Sequence, residues 1–141
     1  QDDFVNKPNS IVADFSKTYE AAVAALNGSM DTVLEMKAEF EKRRTYMVNR
    51  INELPGVSCL MPQGAFYVMM NIKNLIGKSI NGKTITDSNS FATILLEEAL
   101  VSLIPCKDFD SDEHVRWSYA TSMENIIKGL DRLEEFLKKL Q

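Results

Sequence analysis

Arg116 is the only charged residue inside the apolar, strand-forming run Val115-Arg-Trp-Ser-Tyr-Ala120, which His114 opens. A guanidinium is a planar fork of N–H donors that meets a carboxylate through two parallel hydrogen bonds, so an arginine aimed from a strand into a cleft is a carboxylate-binding group. An isolated strand arginine more often faces solvent, and the run alone does not separate the two readings. Other reactive side chains are few: His114 is the only histidine, and Cys59 and Cys106 are the only cysteines. A self-contained hydrolase needs a nucleophile beside a base, and His114 is the sole imidazole on offer. The three residues lack metal-ligand spacing, so the expectation is two reduced thiols and a structural histidine next to Glu113, with a three-ligand zinc site as the alternative. Cys59 is expected as a small core residue at a strand, and Cys106, after Pro105, as a turn residue with little to activate its thiol. Asn81-Gly-Lys-Thr84 ends like a phosphate-binding loop but lacks the upstream glycines that shape one. Lys42-Arg43-Arg44, flanked by Glu39 and Glu41, reads as a solvated, ion-paired helix face.

These residues must be carried by a fold of limited size. A chain of 141 residues with 45% hydrophobic content supports one core of ordinary domain size. Its formal charge of -4 opposes nonspecific attraction to nucleic acid or to an anionic membrane. No run is long and apolar enough to span a bilayer, and Gln1-Asp-Asp-Phe4 has neither the basic nor the apolar region of a signal peptide, so a cytoplasmic location is expected. Starting on Gln, the chain reads as a piece of something longer.

Asn9 to Leu26 reads as an alanine-rich helix stopped by Asn27-Gly28. Ser29 is the expected cap of a second helix, whose Val33, Met36, Phe40, Met47, Ile51 and Leu54 share one stripe before Pro55-Gly56. Val57–Leu60 and Ala65–Ile72 read as strands joined by Met61-Pro-Gln-Gly64. A loop with a short hairpin is expected over Asn74–Thr86. Asp87 or Ser88 caps a third helix reaching Leu100, Val101–Ile104 and His114–Ala120 supply further strands, and Thr121 with Glu124 forms a capping box. The last helix aligns Ile126, Leu130, Leu133, Leu137 and Leu140. The expected fold is α+β, a small and largely antiparallel sheet covered by helices on one face.

Two motifs gain meaning together. Pro62-Gln-Gly-Ala-Phe-Tyr67 puts a glycine at the entry to one strand, where backbone can approach a ligand, and Val115-Arg-Trp-Ser-Tyr119 puts the guanidinium fork on another. In order and chemistry they resemble the C-terminal part of the fold-type I aminotransferases of the aspartate aminotransferase class. Ala25-Leu-Asn-Gly28, the Glu39–Arg44 helix, Leu54-Pro-Gly56, Ile104-Pro105, Asp108-Phe109 and Ala120-Thr-Ser-Met-Glu-Asn125 resemble further family segments in the same order. The resemblance covers the chain from about residue 20 to its end.

It implies that residues 1–141 are the small domain of a pyridoxal-phosphate-dependent aminotransferase, with 1–28 a remnant or connecting helix beside a large domain. By the same resemblance Arg116 binds the α-carboxylate of an amino acid or 2-oxo acid, Gly64 lets the substrate pass close to the backbone, and Phe66 and Tyr67 pack. Asn9 and Ser10 match, weakly, a segment near the cofactor site of the neighbouring subunit of a homodimer.

Departures from the family pattern matter too. The family's aldimine lysine sits in a Ser-x-Ser-Lys-like motif, a context that Lys7 and Lys17 lack. The pyridine-nitrogen aspartate and most phosphate-binding groups belong to the large domain, so the piece alone is expected to be inactive and to bind no cofactor. Pro105-Cys106 replaces the usual Pro-Gly step, the short acidic run Asp108–Glu113 replaces a glycine-bearing loop, and Trp117 is bulkier than the usual aliphatic residue, with packing as its expected role. Two other readings stay open: a stand-alone binding module with this fold, favoured by the poorly matching residues 12–19, and a cofactor-independent enzyme using His114 and Cys106.

Overall fold

The computed structural model describes the backbone of residues 7–141 and the side chains from residue 15 onward. The chain divides into two compact units, Gln1–Met36 and Lys37–Gln141. The first holds helix α1 (Lys7–Asn27) and the start of α2 (Asp31–Glu53). The break between the helices is local chemistry. A Cβ on Gly28 would lie 2.9 Å from the Ala24 carbonyl oxygen, closer than real side chains come, so the chain needs glycine there. Ser29 Oγ then accepts from the Asp31 amide at 3.1 Å, as the sequence predicts for a helix start. On α1, Phe15, Tyr19, Val23 and Leu26 form an exposed stripe at helical spacing. Val33 and Met36 on α2 are also exposed. The α2 stripe read from spacing is thus only partly covered: the described elements of the first unit do not bury Val33 and Met36, and full burial on α2 is confined to Met47, Val48 and Ile51.

The second unit is built on a four-stranded antiparallel sheet of order β1-β2-β6-β5, with β1 Ser58–Cys59, β2 Tyr67–Asn71, β5 Ile104–Pro105 and β6 His114–Ser118. A separate hairpin, β3 (Ser79–Ile80) and β4 (Lys83–Thr84), turns through Asn81 and Gly82 at φ 51° and 79°. Two successive left-handed residues suit a two-residue hairpin, which is what Asn-Gly specifies here. Helices α3 (Ser88–Ala99) and α4 (Met123–Lys138) complete the unit. Because side chains alternate along a strand, β2 and β6 sort their residues by face. Val68, Met70, Val115 and Trp117 are buried in the core. Tyr67, Met69, Asn71, His114 and Arg116 share the opposite face. A Cβ on Gly129 of α4 would lie 3.2 Å from the Trp117 ring, so that helix lies close on the core face. Trp117 is therefore a packing residue, as expected, and the fold is the expected α+β type.

Two local expectations are corrected. The strand expected over Val101–Ile104 is β5, Ile104–Pro105. Leu100 ends α3 in the left-handed region at φ 55°, and the extended backbone reaches β6 only at Ile104, which pairs with Arg116. The cap of α4 is Ser122, not Thr121: Ser122 has the extended backbone of a cap and its Oγ accepts from the Asn125 amide. Thr121 Oγ1 instead accepts from the Asn125 side chain.

At α3 the expected cap is present. Asp87 accepts from the Ser90 amide at 2.7 Å and pairs with Lys107 at 2.7 Å, which ties the helix start to the segment after β5. The Lys107 hydrogen bond, then the Ser90 amide, lowers the Asp87 carboxyl to about 2. A carboxylate whose pKa is depressed by folding stabilises the folded state above its unfolded pKa and loses that contribution as pH falls through the folded value. Asp87→Ala is expected to cost about 1 kcal/mol near neutral pH. In urea titrations the gap between variant and parent chain should shrink as pH is lowered from above 3.8 towards 2. A gap independent of pH over that window would contradict the assignment.

No helix among the described residues is long and apolar enough to cross a membrane.

Candidate functional site

The face of the sheet opposite the helices carries the candidate site. In the β2–β6 register Met69 stands opposite Arg116, Asn71 opposite His114 and Tyr67 opposite Ser118. The Arg116 guanidinium leans along the sheet so that its Cζ lies over the Tyr67 ring, 4.3 Å from the centroid. The Phe109 ring, from a 3-10 turn at Lys107–Phe109, lies 5.5 Å from the same Cζ. Arg116 Nε is buried without a hydrogen-bond partner, and no carboxylate among the described residues pairs with the guanidinium. Compare Arg50, which is bound by Asp131 and Glu134 at 3.1 and 2.6 Å. A half-buried cation left without an anion of its own is available to an outside carboxylate.

Next to Arg116 is a hollow of about 600 Å³ whose lining includes Cys59, Gly64, Tyr67, Met69, Asn71 and His114. Arg116 does not line it but touches its wall through Tyr67. Gly64, predicted from sequence as a substrate contact, lines this hollow together with Tyr67, whose ring carries the predicted Arg116. A Cβ on Gly64 would meet no atom within 4 Å, so the space beside this glycine is open.

The residue with the special backbone is the next one. Ala65 sits at φ 65°, in the left-handed region that side chains rarely adopt. Four contacts hold it and its loop in place. Tyr119 Oη donates to the Ala65 carbonyl at 2.7 Å and the Tyr119 amide to the Phe66 carbonyl at 2.8 Å. Arg44 Nη1 donates to the Pro62 carbonyl at 3.1 Å, and Phe66 packs on Phe40 with ring centroids 5.1 Å apart. Arg44 therefore does more than the solvated face predicted for Lys42-Arg43-Arg44, although the predicted pairs with Glu39 and Glu41 are present.

His114 and Cys106 do not form a nucleophile–base pair. Asn71 Oδ1 accepts from the Lys73 amide, which turns the Asn71 NH₂ towards His114 Nε2 at 3.2 Å. That nitrogen must then accept, so Nδ1 carries the proton and donates to Ser111 Oγ at 2.9 Å. Both ring nitrogens are occupied in this neutral form. Cys106 Sγ instead contacts Met69 Sδ and the Ile104 carbonyl, and burial raises its pKa, partly offset by Arg116. Burial pushes Cys59 up to about 11. Both cysteines are free, and no metal-binding cluster occurs among the described residues. Cys106 is fully buried, so its expected place as a turn residue understates its packing. Cys59, expected in the core, is only half-buried in the wall of the hollow.

Asn9 and Ser10 fall in α1, but their side chains lie outside the described residues. Sequence reasoning missed the contact roles of Tyr67 and Phe109. The available signal was the alternation of β2 and β6, which puts Tyr67 on the Arg116 face once the two strands are paired antiparallel.

The family profile described as aminotransferase class I and II matches residues 5–133. The aspartate aminotransferase of Streptomyces avermitilis is 39% identical over 118 residues, covering 84% of this chain and 29% of that protein. The asparagine--oxo-acid transaminase of Streptococcus mutans is 38% identical over 119 residues, again 84% of this chain and 29% of the relative. Among solved structures, an aspartate aminotransferase from Rhizobium meliloti superposes with a TM-score of 0.83 at 35% identity, covering 86% of this chain and 30% of that one. The chain thus spans under a third of the length of the relatives it matches.

Proposed function

The chain belongs to the class I and II aminotransferase family, and from that premise we propose that it is the small, C-terminal domain of a pyridoxal-phosphate-dependent aminotransferase, in which Arg116 clamps the α-carboxylate of the amino acid and of the 2-oxo acid. The single observation that carries this reading is the Arg116 guanidinium, held on the sheet's open face with no acidic partner among the described residues. A bidentate carboxylate is the ligand that best matches such a group. Fixing the carboxylate orients the substrate's α-carbon, which converts binding energy into alignment for proton transfer.

On this reading the cofactor's seat belongs to the large domain. Lys73, Lys83, Lys107 and Lys138 each pair with a carboxylate. For Lys83, Lys107 and Lys138 those partners raise the pKa, the opposite of what an amine nucleophile needs. In the proposed enzyme the chain contributes binding and orientation, with the cofactor's electron-sink chemistry supplied by a large domain. On this reading the isolated chain is inactive, and the parent is a cytoplasmic homodimer. The exposed stripe Phe15, Tyr19, Val23 and Leu26 fits residues covered by the rest of a longer protein.

The test is amino-group transfer by the longer protein encoded by the in-frame upstream sequence, assayed with a panel of amino acids and 2-oxo acids. Transfer with the cofactor's visible absorbance supports the reading. An upstream frame without a lysine in the family's motif, or a cofactor-free protein without transfer, overturns it. A variant separates substrate approach from folding. Gly64→Val is expected to leave the unfolding free energy of the isolated chain within about 0.5 kcal/mol, because a Cβ there meets no atom within 4 Å. In the parent it should lower kcat/KM at least tenfold through a clash with bound substrate. An unchanged kcat/KM would show that substrate does not pass this glycine.

A further inference from the structure

Arg116 is held in a way that the carboxylate-clamp reading alone does not require. Among the described residues its guanidinium has no hydrogen-bond partner, where Arg50 has two carboxylates, and it lies over one aromatic ring and near a second. Resting on that reading, we propose that Tyr67 and Phe109 are positioning residues that set the plane of the Arg116 guanidinium while leaving its in-plane N–H donors free for substrate.

A bidentate contact needs the fork coplanar with the carboxylate, and an arginine side chain has many rotamers that miss that plane. Anchoring the fork with Asp or Glu would fix it but would occupy the donors that substrate must use and neutralise the charge that attracts it. An aromatic face attracts the cation through the ring quadrupole and consumes no N–H. The two rings come from independently secured elements. Tyr67 is on β2, with Met69, two residues on, directly opposite Arg116. Phe109 closes the turn after β5, where the Cys106 carbonyl accepts from the amides of Phe109 and Ser111. The Cys106 amide donates to the His114 carbonyl, and Lys107 pairs with Asp87 at the start of α3. The acidic run Asp108–Glu113 thus brings an aromatic ring, and no paired carboxylate, to the arginine.

The experiment is steady-state kinetics on the full-length holoenzyme with Tyr67→Leu, Tyr67→Phe, Phe109→Ala, Arg116→Leu and the Tyr67→Leu/Arg116→Leu double variant. Tyr67→Leu should raise KM for the amino acid about tenfold and Phe109→Ala at least threefold, both with unchanged cofactor absorbance. Tyr67→Phe, which keeps the ring, should stay within twofold. In the double variant KM should equal that of Arg116→Leu alone, because the ring acts only through the arginine; a merely structural role would add its own effect. Phe109 is exposed, so Phe109→Ala decides the matter by itself should Tyr67→Leu fail to fold. If Arg116→Leu raises KM and the ring variants do not, the positioning role falls while the clamp stands. If Arg116→Leu leaves KM unchanged, both fall.

Discussion

Arg116→Leu in the full-length parent is expected to lower kcat/KM for the amino acid by about a thousandfold, while leaving the isolated chain as stable as before or slightly more so. The two halves have one cause. Truncating one member of a desolvated, hydrogen-bonded charge pair typically costs about 2–5 kcal/mol, and about 4 kcal/mol corresponds to three decades in kcat/KM. Among the described residues of the free chain, however, the guanidinium has no carboxylate partner and Nε is buried without a hydrogen bond. Removing an unsatisfied buried donor relieves a desolvation cost, which offsets the lost contact with Tyr67 and Phe109. Arg116→Lys should fall between parent and leucine variant, because an ammonium keeps the charge and loses the fork. Kinetics of the three parents, with urea unfolding of the three isolated chains, check this. An Arg116→Leu chain destabilised by more than about 2 kcal/mol would mean that the arginine is a structural residue after all.

The largest expected effect on folding is at the other face of the sheet. Phe91 on α3 is fully buried and meets Phe136 of α4 edge to face, with ring centroids 6.1 Å apart. Phe91→Ala removes the ring and leaves a cavity that its neighbours fill only in part, at a cost of about 3–5 kcal/mol. Domains of this size have about 5–15 kcal/mol in all, so the variant should unfold at a much lower urea concentration with a similar slope. Leu96→Ala on the same helix is the control: Leu96 is 48% exposed, and its loss should cost under about 1 kcal/mol. Equal costs at the two positions would contradict the assignment of helix faces that also puts Arg116 on the open side of the sheet.

Much of this arrangement was legible in the chain because the local signals are strong. Apolar spacing located the helices, a short hairpin was legible within Asn74–Thr86, and the cap of α3 was narrowed to Asp87 or Ser88. What periodicity could not supply was partnership. The stripe on α2 includes Val33 and Met36, which are exposed, because spacing shows which residues share a face but not whether anything covers them. Tyr67 was expected to pack because alternation along β2 names its face only after the register with β6 is known. The Pro62–Tyr67 motif drew attention to this loop, yet its left-handed residue is Ala65 and not the glycine. That loop is held by carbonyl contacts from Tyr119 to Ala65 and from Arg44 to Pro62, pairs 54 and 18 residues apart in sequence. The ordered series of motifs carried the expectation for Arg116 further than any single element could.

The most direct test of the clamp is a crystal structure of the full-length holoenzyme with an α-methyl amino acid, which binds but lacks the α-proton. The account predicts the ligand's α-carboxylate in two parallel hydrogen bonds to Arg116 at about 2.8 Å, with Tyr67 and Phe109 flanking the guanidinium. A carboxylate bound to another cation, with Arg116 facing solvent, would contradict it.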